Sequence, residues 1–76
     1  MDNTTIHEKI KFIQEMRQYG DVPNVCKREG YSETVFWTAI NRTDGKYTVA
    51  EMKVILAMYI EMKERQELRI AVGLTG

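Results

Sequence analysis

Four runs of apolar residues at helical spacing, each opened by a capping residue and punctuated by glycines and a turn signal, constrain this chain most. The first run predicts a helix from about Thr5 to Tyr19. "TIHE" has the form of a capping box, with Thr5 at the N-cap and Glu8 three residues on. Ile6, Ile10, Phe12, Ile13, Met16 and Tyr19 share one half of the helical wheel, and Glu8, Lys11, Glu15 and Gln18 fill the other. Gly20 closes the run. Asp21 is placed to cap a second, short helix, with Pro23 in its first turn, where a missing N–H costs nothing. Val22, Val25 and Cys26 face inward, and Gly30 ends it.

Ser32 caps the third helix, "ETVFWTAINR", whose apolar stripe is Val35, Phe36, Ala39 and Ile40. "TDGK" breaks the pattern. Thr48 opens the fourth helix with a second capping box, "TVAE". Val49, Met52, Ile55, Leu56, Tyr59 and Ile60 are expected to form its main apolar stripe. Val54, Met58 and Met62 lie on a different face, at i, i+4 and i+8. "KERQELR" extends the helix into solvent, and the tail, about 69–76, frays or packs loosely. The expectation is one all-α domain over residues 1–76, four helices with a long C-terminal one.

Composition removes several function classes. A chain of 76 residues makes one small domain, and 43% hydrophobic with 29% charged residues is a globular balance. Cys26 is the only cysteine, so no internal disulfide forms, and a lone thiol suits a reducing cytoplasm. One His and one Cys leave no metal-ligand pattern, and no cofactor or small-molecule effector is implied. Nothing approaches the roughly 18 apolar residues of a membrane span. "MDNTTIHEK" lacks the features of a signal peptide, so a cytoplasmic protein with no membrane partner is expected. Catalysis has no support. His7 falls on the polar side of the first helix, Cys26 is predicted buried, and no nucleophile–base pair or phosphate-cradling loop stands out.

From Asn24 to Arg42 the chain reads helix, tight turn, helix. This stretch resembles the helix-turn-helix DNA-binding domain, closest to the lactose-repressor type and more loosely to phage-repressor-like domains. The matching residues are Val25, Cys26, Gly30, Tyr31, Ser32, Phe36, Ala39, Ile40 and Asn41. In these families a small residue lets the two motif helices meet, here Cys26. A glycine makes the turn, here Gly30, and an apolar residue plugs the corner, here Tyr31. The capped helix at Thr48 resembles the third helix of the lactose-repressor headpiece, and the amphipathic helix before the motif brings the topology closer to the phage type. The resemblance spans roughly Val22 to Met62, with the helix-turn-helix itself at about 22–42. It implies a small prokaryotic or phage-like transcriptional regulator, or a mobile-element accessory factor, that binds double-stranded DNA.

In such a domain the second motif helix enters the major groove. The resemblance then makes Ser32, Glu33, Thr34, Trp37, Thr38 and Asn41 the base-reading candidates, and Lys27, Arg28, Arg42 and Lys46 the phosphate-binding candidates. The competing reading is a solvated polar helix face with ordinary surface charge. A net charge of zero lacks the basic excess of most nucleic-acid binders. Trp37 has three readings: against a thymine methyl or the groove wall, in a protein interface, or folded over Tyr47 and the fourth helix. Val54, Met58 and Met62 have two: packed on the first helix, or a dimer seam of a homodimer reading two half-sites. The alternative function is a protein-interaction module on the same fold, anchored by Trp37 and Tyr47.

Overall fold

The computed structural model describes residues 4–74. Among them the chain forms α1 (Ile6–Met16), α2 (Asp21–Glu29), α3 (Glu33–Asn41) and α4 (Val49–Ala71). The architecture is all-α with a long last helix, as the spacing predicts. Two of the predicted caps form. Thr5 Oγ1 accepts a hydrogen bond from the Glu8 N–H at 3.2 Å. At the start of α4 the box closes in both directions: the Glu51 N–H donates to Thr48 Oγ1 at 3.1 Å, and the Thr48 N–H donates to Glu51 Oε1 at 2.7 Å. Each bond satisfies an N–H that a helix start leaves without an internal partner.

α4 is the hub. It packs against each of α1, α2 and α3, and α2 also packs against α3. The core joins Ile10 and Ile13 of α1, Val22, Val25 and Cys26 of α2, and Phe36 and Ala39 of α3. Val54, Ile55, Met58, Tyr59 and Met62 of α4 complete it. Phe12 meets Tyr59 edge-on with ring centroids 5.6 Å apart, which fixes α1 along α4.

The structure corrects the expected facing of α4. Of the two readings of Val54, Met58 and Met62, the core one holds, since all three are fully buried and leave no dimer seam there. Of the stripe expected to face the core, only Ile55 and Tyr59 are buried, while Val49, Met52, Leu56 and Ile60 are exposed. The physical reason is that three helices converge on one side of α4. The buried arc is centred on Met58, four residues after Val54 and four before Met62, and it leaves the opposite side uncovered.

The helix ends bring further corrections. α1 stops at Met16, Arg17 leaves it in an extended conformation, and Tyr19 is fully exposed instead of joining the core. Gly20, in the left-handed region, takes the position before α2, and Asp21 is its first residue. The Asp21 carboxylate accepts from the Gln18 N–H at 2.6 Å and takes two bonds from Arg65, at 2.8 and 2.9 Å. "KERQELR" therefore does not run free into solvent, because Arg65 turns back onto the α1–α2 corner. Ser32 holds the N-cap position of α3, but its side chain makes no capping bond. The described part of the tail is ordered by hydrogen bonds. The Gly73 N–H donates to Ile70 O at 3.0 Å and the Leu74 N–H to Arg69 O at 2.7 Å, a Schellman closure. Residues 75–76 lie outside the described part. No helix among the described residues is long and apolar enough to cross a membrane.

Gly30 makes the corner between α2 and α3 at φ 83°. The Tyr31 N–H reaches back to Cys26 O at 2.9 Å and the Gly30 N–H to Lys27 O at 3.2 Å. A Cβ there would meet nothing within 4 Å, so only backbone strain opposes it. Gly30→Ala should cost about 1–2 kcal/mol, the penalty of an L-residue in the left-handed region. A urea titration followed by circular dichroism checks this, and an unchanged midpoint would mean that the turn is not under conformational demand.

Candidate nucleic-acid interface

α3 is two-faced because its short sequence alternates between the two demands. Phe36 and Ala39 are fully buried, and Val35 and Ile40 are partly buried against the core. Cys26 sits opposite, fully buried where the two motif helices meet. Desolvation, with Glu33 nearby, pushes its thiol above the ordinary range. A protonated, enclosed thiol is a packing group and a poor nucleophile.

The outer side collects every base-reading candidate. Ser32, Glu33, Thr34, Trp37, Thr38 and Asn41 are all exposed. The last five recur at i, i+1, i+4, i+5 and i+8, which makes one strip along the helix. Asn41 donates one amide hydrogen to the Trp37 carbonyl oxygen at 2.9 Å, keeping its side chain against the helix end. Its Oδ1 and second amide hydrogen remain for other contacts.

Trp37 stands at the middle of this strip and is 38% exposed. Its ring packs edge-on against Phe36, with centroids 5.0 Å apart. The Arg17 guanidinium lies 5.0 Å from the ring centroid. Tyr47, meanwhile, meets His7 of α1. Among the described residues no ring contact joins Trp37 to Tyr47. Trp37 lines two shallow depressions, one of about 520 Å³ with Thr38, Asn41 and Thr43, the other of about 350 Å³ with Arg17, Tyr19, Pro23 and Glu33. It is a ridge between two hollows.

The four cations singled out in the sequence divide. Lys27 and Lys46 are exposed, and among the described residues neither forms an ion pair. Arg28 is exposed, but its Nη1 lies 2.7 Å from Glu61 Oε1 and its Nε 3.5 Å from Glu29 Oε2. Arg42 is turned into the fold. Its Nε and Nη2 bind the Glu51 carboxylate at 3.0–3.2 Å, and Nη1 reaches Asp44 at 3.5 Å. The Thr48 N–H first, and Arg42 after it, hold the buried Glu51 carboxyl below its ordinary range. Arg42 thus ties the end of α3 to the start of α4.

Arg17 is a further cation beside the outer strip that the sequence pattern does not single out. The expected helix ran through it to Tyr19, whereas α1 ends at Met16 and Arg17 leaves it extended, so its place beside Trp37 depends on a helix end that periodicity does not fix. Comparison with protein-family models, with curated proteins and with solved structures returned no match.

Proposed function

We propose that this chain binds double-stranded DNA through α3, as a small transcriptional regulator or mobile-element accessory factor. The observation that carries this reading is the division of α3. Its inner side is sealed against α2 and α4 behind a glycine turn, while five polar or aromatic side chains with Ser32 form one continuous exposed strip. A helix so mounted has the width and exposure to enter a major groove. Lys27, Lys46 and Arg17 would hold phosphates, while Thr34, Thr38 and Asn41 would donate to or accept from base edges. Trp37 would press against a thymine methyl or the sugar wall.

The zero net charge and the ion-paired Arg28 and Arg42 limit the number of phosphates that can be neutralised. The affinity should therefore fall with salt on a shallow slope, about 0.9 in log K per log salt for each phosphate contact. The experiment is selection of a binding site from a random duplex pool, followed by anisotropy titrations at two salt concentrations. Thr38→Ala and Trp37→Ala should each weaken binding to the selected site about 10-fold. Lys27→Ala should weaken all duplexes alike and lower the salt slope by about 1. No enrichment and no salt-dependent binding would leave the second reading, a protein partner seated on Trp37. The fully exposed Tyr19 beside the same hollow favours that reading. It predicts capture that is insensitive to salt and lost in Trp37→Ala.

A further inference from the structure

The outward side of α4 is apolar where a solvated helix would be polar. Val49, Met52, Leu56 and Ile60 recur at three- and four-residue spacing and remain 46–63% exposed. They lie on the side opposite Met58, which is fully buried. Single exposed apolar residues are ordinary, but a contiguous strip of four marks a surface that something covers. A groove of about 410 Å³ runs beside it between α2 and α4, with Leu56, Ala57 and Ile60 among its lining and Lys53, Glu61 and Glu64 along it.

We propose that a second copy of this chain docks on this strip, α4 against α4, antiparallel about a twofold axis between Ala57 and Ile60. Charge selects the occupant and the direction. Lys53 stands toward the N-terminal end of the strip and Glu64 toward the C-terminal end. Among the described residues neither has an ion-pair partner. Antiparallel pairing brings Lys53 of each copy to Glu64 of the other, and twofold symmetry makes the contact twice. Parallel pairing would put Lys53 of one copy and Glu64 of the other on opposite flanks of the seam and at different heights, with no such contact. The same axis sets Ala57 of one copy level with Ile60 of the other and Leu56 within one residue of it, and the small Ala57 side chain lets the helices approach.

Sedimentation of the full chain over a range of concentrations tests this without DNA. Its failure therefore leaves DNA binding standing, and the failure of DNA binding leaves it standing. The mass should rise with concentration from 8.9 kDa toward twice that value. Leu56→Glu should hold the chain at the monomer mass with unchanged circular dichroism, because the side chain is outside the core. Lys53→Glu and Glu64→Lys should each raise the dissociation constant about tenfold, and the double reversal should restore it. A monomer at every concentration, a dimer indifferent to Leu56→Glu, or a double reversal that fails to restore pairing overturns the proposal.

Discussion

Met58→Ala should destabilise the fold by about 2–5 kcal/mol, and Leu56→Ala by about 0.5 kcal/mol or less, although the two residues sit two positions apart on one helix. Met58 is fully buried where α4 faces the other three helices, whereas Leu56 is 49% exposed on the far side. Removing the Met58 side chain deletes its contacts and leaves a cavity that rigid neighbours cannot close. A small domain has about 5–15 kcal/mol in total, so Met58→Ala should shift the urea midpoint severely. Leu56→Ala removes a side chain already half in water. Equal losses, measured at low protein concentration where any dimer is dissociated, would mean that α4 is rotated from the orientation described here.

That contrast shows which information the sequence carries. Helix existence was legible, because the Thr5 and Thr48 caps, Gly30 and the breaks at Gly20 and "TDGK" act within a few residues. The inner face of α3 was legible too, because Val35, Phe36, Ala39 and Ile40 recur at helical spacing against Glu33, Thr34, Thr38 and Asn41. The facing of α4 was not. It carries apolar residues on two opposite sides, and periodicity locates stripes without saying which one the remaining helices cover. Glu51 lies on the buried side although a glutamate normally marks the solvent side. Here it is buried because the Thr48 N–H and Arg42 satisfy its carboxylate. Of the candidate site, the outer strip of α3 followed from spacing alone. The separation of Arg42 from Lys27 and Lys46 did not, because it depends on a partner nine residues away. The pairing of Asp21 with Arg65 across 44 residues was beyond any local pattern.

Asp21→Ala should be the other severe substitution. The carboxylate holds three bonds: one from the Gln18 N–H at the α1–α2 corner and two from Arg65 of α4. Its side chain is 11% exposed and that of Arg65 is 26% exposed. Breaking a fully buried pair costs about 3–5 kcal/mol, and the partial exposure of Arg65 lowers the expectation to about 2–3 kcal/mol. The pH dependence separates this cause from simple loss of packing. Arg65, above all, holds the Asp21 carboxyl below its ordinary range. A depressed carboxyl stabilises the fold above its unfolded value, about pH 4, and loses that contribution as pH falls through the folded value. Wild-type stability should therefore be level above about pH 5 and decline in acid, with Glu51, whose carboxyl is also held low, steepening the fall. Asp21→Ala should be less stable on the plateau and should fall less steeply. The two curves should then approach each other below pH 4 or so, where the wild-type carboxylate is being protonated. Chemical denaturation at a series of pH values gives both curves. If they run parallel into acid, Asp21 contributes through the shape of the α1–α2 corner alone, and the charge of Arg65 is not what joins that corner to α4.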